Sequence, residues 1–98
     1  RADAYQILDG VVDVMVQHPE IKKIRIEGHT DSKGSRSLNS RLSQERAEAV
    51  MTYLLQQGVP QAKLEAKGYG PDKPIAPNTT RRGREQNRRV EFTILESE

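Results

Sequence analysis

The run from Ile21 to His29 is the feature that most restricts what this chain can fold into. Ile24, Ile26 and Gly28 share one face, and Lys23, Arg25, Glu27 and His29 share the other. That period-two alternation predicts a strand with one packed face and one face toward solvent. Gly28 falls on the packed side, which predicts close approach of another backbone or side chain. Thr30-Asp31 follows, then a turn at Lys33-Gly34-Ser35, then a long helical pattern from Ser37 to Gln57. The loop between them is short, so the strand's carboxyl end and the helix's first turns must lie close in space.

The helix carries the apolar stripe Leu42, Ala49, Val50, Tyr53 and Leu54. Asn39 or Ser43 is the expected N-cap. Gly58 is a natural C′ residue, with Pro60 just beyond. Arg46 stands four residues after Leu42 and four before Val50, which places it inside the stripe rather than beside it.

The remaining elements are shorter. Ala2 to Gln17 predicts a helix on Leu8, Val12 and Met15, flanked by Tyr5, Val11 and Val16, and His18-Pro19 ends it. His18 reads as a favourable charge at the negative end of that helix dipole. Leu64 to Tyr69 predicts a strand, closed by Gly70-Pro71. Residues 72–80 hold Pro74, Pro77 and Asn78 and predict an ordered, irregular loop. Thr79 or Thr80 would cap a short helix through Arg84 and Asn87, and Arg88 to Leu95 predicts the last strand. By parity Arg88 would lie on its core side. The order is helix, strand, helix, strand, strand, and one apolar face on each predicts a two-layer sandwich.

Ninety-eight residues make one domain, residues 1–98, with a modest core. The chain opens directly on a helical pattern, so it reads as part of a longer protein with any targeting or anchoring segment upstream. It has no cysteine, which removes disulfides, thiol chemistry and Cys-based zinc sites. No apolar run reaches the length of a membrane span. Net charge is only +2, but Arg81, Arg82, Arg84, Arg88 and Arg89 cluster. Without interleaved aromatics or a nucleic-acid motif, that cluster reads as a solvated loop running into a strand.

Arg46 carries the chemistry. A guanidinium keeps its proton inside a protein, so a partly buried Arg needs acceptors. Asp31 stands at the end of the strand leading into its helix, with Thr30, Asn39 and Ser43 at the same end. Arg88 could join them if the first and last strands are antiparallel. One reading is a buried salt bridge that fixes the strand–loop–helix angle. The other is a pair left partly open, with Asp31 offering an anion to an ammonium and Arg46 a fork to a carboxylate. A zwitterionic headgroup would suit the second, and spacing leaves both open. Catalysis has little support, because no serine or cysteine nucleophile accompanies His29 and Asp31. One His with one Asp is also too few ligands for a metal.

Ile26-Glu27-Gly28-His29-Thr30-Asp31, Gly34, Asn39-x-x-Leu42-Ser43-x-x-Arg46-Ala47-x-x-Val50, Leu54, Gly58-Val59, Gly68-Tyr69-Gly70, Pro74, Asn78, Gly83-Arg84 and Asn87-Arg88-Arg89-Val90-Glu91 closely resemble the OmpA-like C-terminal domain. The match covers nearly the whole chain. The resemblance implies an α+β two-layer sandwich, with a mixed sheet and helices on one face. It implies non-covalent binding of peptidoglycan through the diaminopimelate residue of the stem peptide, with Asp31 and Arg46 holding that residue and Thr30, Asn39 and Arg88 supporting the pocket. It implies a periplasmic anchor tethered to the outer membrane of a Gram-negative bacterium, contacting the membrane only through an upstream segment, with no cofactor, no metal and no nucleic-acid partner. One departure stands out: the family begins with a strand beside its last one, whereas this chain starts at the helix, so either that strand was cut off and Arg88–Leu95 is an unpaired edge, or this variant covers the edge otherwise. The rival functions are a peptidoglycan-processing enzyme, a basic-patch nucleic-acid binder, and a scaffold that binds no cell wall.

Overall fold

The computed structural model describes the backbone of residues 2–98 and the side chains from Tyr5 onward. The elements are α1 (Ala2–Gln17), β1 (Ile21–Gly28), α2 (Arg36–Gln56), β2 (Leu64–Gly68), α3 (Arg81–Asn87) and β3 (Val90–Ser97). A single 3₁₀ turn, Gln61–Lys63, leads into β2. The three strands form one mixed sheet in the order β2-β1-β3. β1 runs parallel to β2, with Ile24 beside Leu64, and antiparallel to β3, with Gly28 beside Val90. The α+β sandwich expected from the sequence is therefore present. No described helix is long and apolar enough to cross a membrane.

The core lies between helices and sheet. Met15, Ile21, Ile24, Ile26, Ala47, Leu54, Val59 and Leu64 are buried there, with Val11, Val12, Val50 and Phe92 packed against them. Val16 is 73% exposed, so it does not belong to α1's packed side as the stripe suggested. β3 has β1 on one side and no described strand on the other. Its Ile94 is exposed, and an open apolar groove runs between α1 and β3, lined by Val14, Met15, Phe92 and Ile94.

The long helix starts and faces differently from expectation. Ser35 is the N-cap, its hydroxyl accepting from Leu38 N–H. Asn39 and Ser43, the expected caps, are buried inside α2, in line with Ala47 and Leu54. The stripe that faces the sheet is thus rotated by one residue from the apolar one, leaving Leu42 exposed. Arg46 lies beside buried Ala47 and is itself exposed, so it borders the packed face instead of occupying it.

The cause is backbone proximity. A Cβ built on Gly28 or Gly68 would overlap the backbone of Ser43 or Gln44. Two glycines at the ends of β1 and β2 let α2 settle directly on the sheet, as the position of Gly28 predicted. Only small or polar side chains fit that contact. The Ser43 hydroxyl accepts from Gly70 N–H at 2.8 Å, and Gln44 Oε1 accepts from Gly68 N–H at 2.7 Å.

Candidate ligand-binding site

The end of β1 is held by backbone and side-chain bonds from four segments. Thr30 N–H donates to Gly70 carbonyl at 2.9 Å, and its hydroxyl donates to the Asp31 carbonyl at 2.8 Å. Asn39 Nδ2 donates to the Lys33 carbonyl at 2.7 Å, tying the loop to the first turn of α2. Thr30, Asp31 and Asn39 are all buried. These three expected residues are gathered at one end of the sheet.

The Asp31 carboxylate has two described partners. Lys33 N–H donates to Oδ1 at 2.9 Å, and Arg88 Nη1 donates to Oδ2 at 2.6 Å. Arg88 is the C-cap of α3 and reaches Asp31 because β3 is antiparallel to β1. Burial raises the Asp31 pKa, but the Lys33 N–H and the Arg88 guanidinium outweigh it, and the net effect is a value below the ordinary one. Asp31 is therefore an anion. A carboxylate has about four acceptor positions, so two described bonds leave room for more donors.

Arg46 is not the partner of Asp31. Its Nη1 donates at 3.2 Å to the carbonyl of His29, two residues before Asp31. A guanidinium carries five N–H donors, and this is the one Arg46 bond among the described residues. Of the two readings that spacing leaves open, the Asp31–Arg46 salt bridge is not formed: Arg88 makes the ion pair, and Arg46 bonds the backbone at the same end of β1. Arg88 sits on no strand; with 43% side-chain exposure it closes one side of the Asp31 site.

The wall behind Arg88 is a small polar hub. Asn87 is fully buried. Its Oδ1 accepts from Ile75 and Ala76 N–H, and its Nδ2 donates to the Ala76 carbonyl and to Asn78 Oδ1. The irregular 72–80 loop is thus ordered by one side chain from α3. Thr80 caps α3, accepting from Gly83 N–H at 3.0 Å. The sequence marks Asn87 only as a helix position, since the three residues that its four side-chain bonds reach lie up to 12 positions away.

The arginine cluster is mostly consumed internally. Arg84 donates to the Asn78 carbonyl, Arg88 to Asp31, and Arg89 to Glu91 and the Asn87 and Lys73 carbonyls. Arg81 approaches Glu85 at 3.7 Å on the surface.

The other face of β1 is not the solvent face expected. Glu27 and His29 are 7% and 1% exposed. Tyr69 stacks on the His29 ring at 5.4 Å, and Lys73 lies 4.2 Å above Tyr69. Residues after β2 fold back over this end of the strand, and no local pattern in β1 reports that.

Comparison with known proteins gives a consistent result. The OmpA family profile matches residues 1–88. The chain is 45% identical over 87 residues to a probable lipoprotein, YiaD, of Escherichia coli, covering 89% of this chain and 39% of that protein. It is 44% identical over 71 residues to the peptidoglycan-associated lipoprotein of Pseudomonas aeruginosa, covering 72% and 42%. The chain thus spans less than half the length of these relatives. The C-terminal domain of Helicobacter pylori MotB superposes with a TM-score of 0.87 at 30% identity, over 95% of this chain and 72% of that one.

Proposed function

The chain belongs to the OmpA family, and from that premise we propose that it binds peptidoglycan non-covalently, through the diaminopimelate residue of the stem peptide. On this reading Asp31 receives the ammonium of that residue, and Arg46 forks onto its carboxylate. Thr30 and Asn39 hold the Asp31 loop, and Arg88 keeps Asp31 ionised. The role is anchoring, not catalysis. The domain would sit in the periplasm of a Gram-negative bacterium and reach the outer membrane through an upstream segment of the full protein.

The observation that carries the reading is the bond from Arg46 Nη1 to the His29 carbonyl. It holds the guanidinium at the carbonyl of His29, two residues before Asp31 in sequence, without pairing it to that carboxylate. Opposite charges fixed near each other, each with unused hydrogen-bonding capacity, suit a zwitterion. The name of the Pseudomonas lipoprotein points the same way. A nucleic-acid reading is weakened by the internal bonds of Arg84, Arg88 and Arg89.

The test is titration of the domain with a stem peptide that contains diaminopimelate, and with one that carries lysine in its place. Lysine keeps the ammonium and lacks the second carboxylate. Binding of the first, weak binding of the second, and loss in Asp31→Ala and Arg46→Ala are expected. Equal binding by folded variants would remove both residues from the site.

A further inference from the structure

The buried face of β1 carries a group of side chains that peptidoglycan binding does not use. Glu27, His29 and Glu91 each bring one ligand atom within 4.8 Å of the others. His29 is 1% exposed, and neither ring nitrogen has a hydrogen-bond partner among the described residues. Buried polar atoms are seldom left without a partner, and two on one ring call for an explanation. Glu27 is also buried, and its nearest described cation is Arg25 at 3.7 Å, itself bonded to Glu65 at 2.7 Å. Glu27 and Glu91 are directly opposed across the antiparallel β1–β3 pair. Like charges in that position repel.

We propose that Glu27, His29 and Glu91 form a binding site for a divalent cation of the zinc class, which joins the outer strand β3 to β1. An imidazole nitrogen with two carboxylate oxygens is a donor set that zinc and cobalt accept. Magnesium and calcium prefer all-oxygen sites. A cation would give the orphaned ring nitrogen a partner and remove the repulsion of the opposed carboxylates. Burial lowers the His29 pKa, with the nearby Arg89 charge adding to the effect. That direction favours the neutral ring, the form that can act as a ligand.

The ligand atoms must draw closer, because zinc bonds to nitrogen and oxygen are about 2.0–2.2 Å long. The Glu91 side chain is 46% exposed and can move. It supplies the path from solvent as well. One Glu91 oxygen is engaged by Arg89 Nε, which leaves the other for the metal. Arg89, Arg25 and the Lys73 ammonium above Tyr69 are the opposing positive charges. Three protein ligands leave a coordination position for solvent.

The experiment is titration of tag-free, metal-stripped protein with Zn²⁺ and with Co²⁺, followed by calorimetry and by visible cobalt absorption. One ion per chain is expected, with perturbation of the His29 ring nitrogens in NMR. Glu91→Gln is half-exposed and should fold; it should weaken binding at least tenfold, as should Glu27→Gln. His18, beside Glu20 at 2.9 Å, is the other imidazole in the chain. His18→Gln should leave binding unchanged. No uptake by the wild type, undiminished binding in Glu91→Gln, or loss in His18→Gln would each overturn the site. Stem-peptide binding is read separately, so either conclusion can fail alone.

Discussion

Arg88 Nη1 lies 2.6 Å from Asp31 Oδ2 across 57 positions of sequence, while Arg46, fifteen positions away, bonds the His29 carbonyl. The nearer arginine in sequence is not the ion-pair partner. The two arginines therefore have separable roles. One holds the Asp31 carboxylate in place, and the other makes a single described bond, to a backbone carbonyl.

Arg88→Ala should lower stability modestly. Removing one partner of a fully buried pair costs roughly 3–5 kcal/mol. Arg88 is 43% exposed, so screening reduces this. A loss of about 1–2 kcal/mol in urea unfolding is expected. An unchanged midpoint would mean that the pair contributes nothing.

Arg46→Ala should separate binding from folding. The residue is exposed and bonds one carbonyl. Stability should change by less than about 1 kcal/mol. Affinity for the diaminopimelate stem peptide should fall at least about tenfold, the worth of one charge-assisted bond. A folded variant that binds like wild type would count against the proposed role.

The acid limb of stability should depend on Asp31. Its folded pKa is depressed, because Lys33 N–H and Arg88 outweigh the burial that pushes it up. The contribution is thus fully present above the unfolded value of about 3.9. It is lost as pH falls through the folded value. Asp31→Asn should flatten the fall in urea midpoint below about pH 4. An identical limb in the variant would reject the assignment.

Gly28→Ala should be severe. The added Cβ meets the Ser43 carbonyl, which is helix backbone and cannot swing aside. Overpacking costs about 1–3 kcal/mol where neighbours relax, and here more than about 3 kcal/mol is expected. Thermal unfolding measures it. A shift of only a degree or two would show that α2 can lift from the sheet.

Asn87→Ala should loosen the 72–80 loop. It would strand the Ile75 and Ala76 N–H groups that Oδ1 now accepts from. A fully buried orphan costs about 1–3 kcal/mol, and these two part-buried N–H groups should cost less. Hydrogen exchange at those two amides should accelerate well beyond that of β1. Unchanged protection would place the loop's order elsewhere.

Much of this molecule is legible locally. The alternation in Ile21–His29 places β1 within one residue of its observed end, and Thr80 caps α3 as its position suggested. Gly28 on the packed face correctly announces a close backbone. Helix α2 is less legible. Its buried line includes Asn39 and Ser43, because the glycine contact admits small polar groups where an apolar stripe was sought. The apolar count therefore put Arg46 inside the core and the cap several residues late.

The sequence by itself determined the elements and the two-layer sandwich, because periodicity and turn chemistry are properties of neighbouring residues, and its motifs carry the resemblance to the family. Only the tertiary structure decided which charges meet. The antiparallel register of β1 and β3 brings Arg88 to Asp31 and sets Glu91 opposite Glu27. The return of Tyr69 over β1 buries His29 on a face that alternation assigns to water. Strand register and the path of a loop depend on contacts between distant segments, and no local pattern in either segment encodes the other's position.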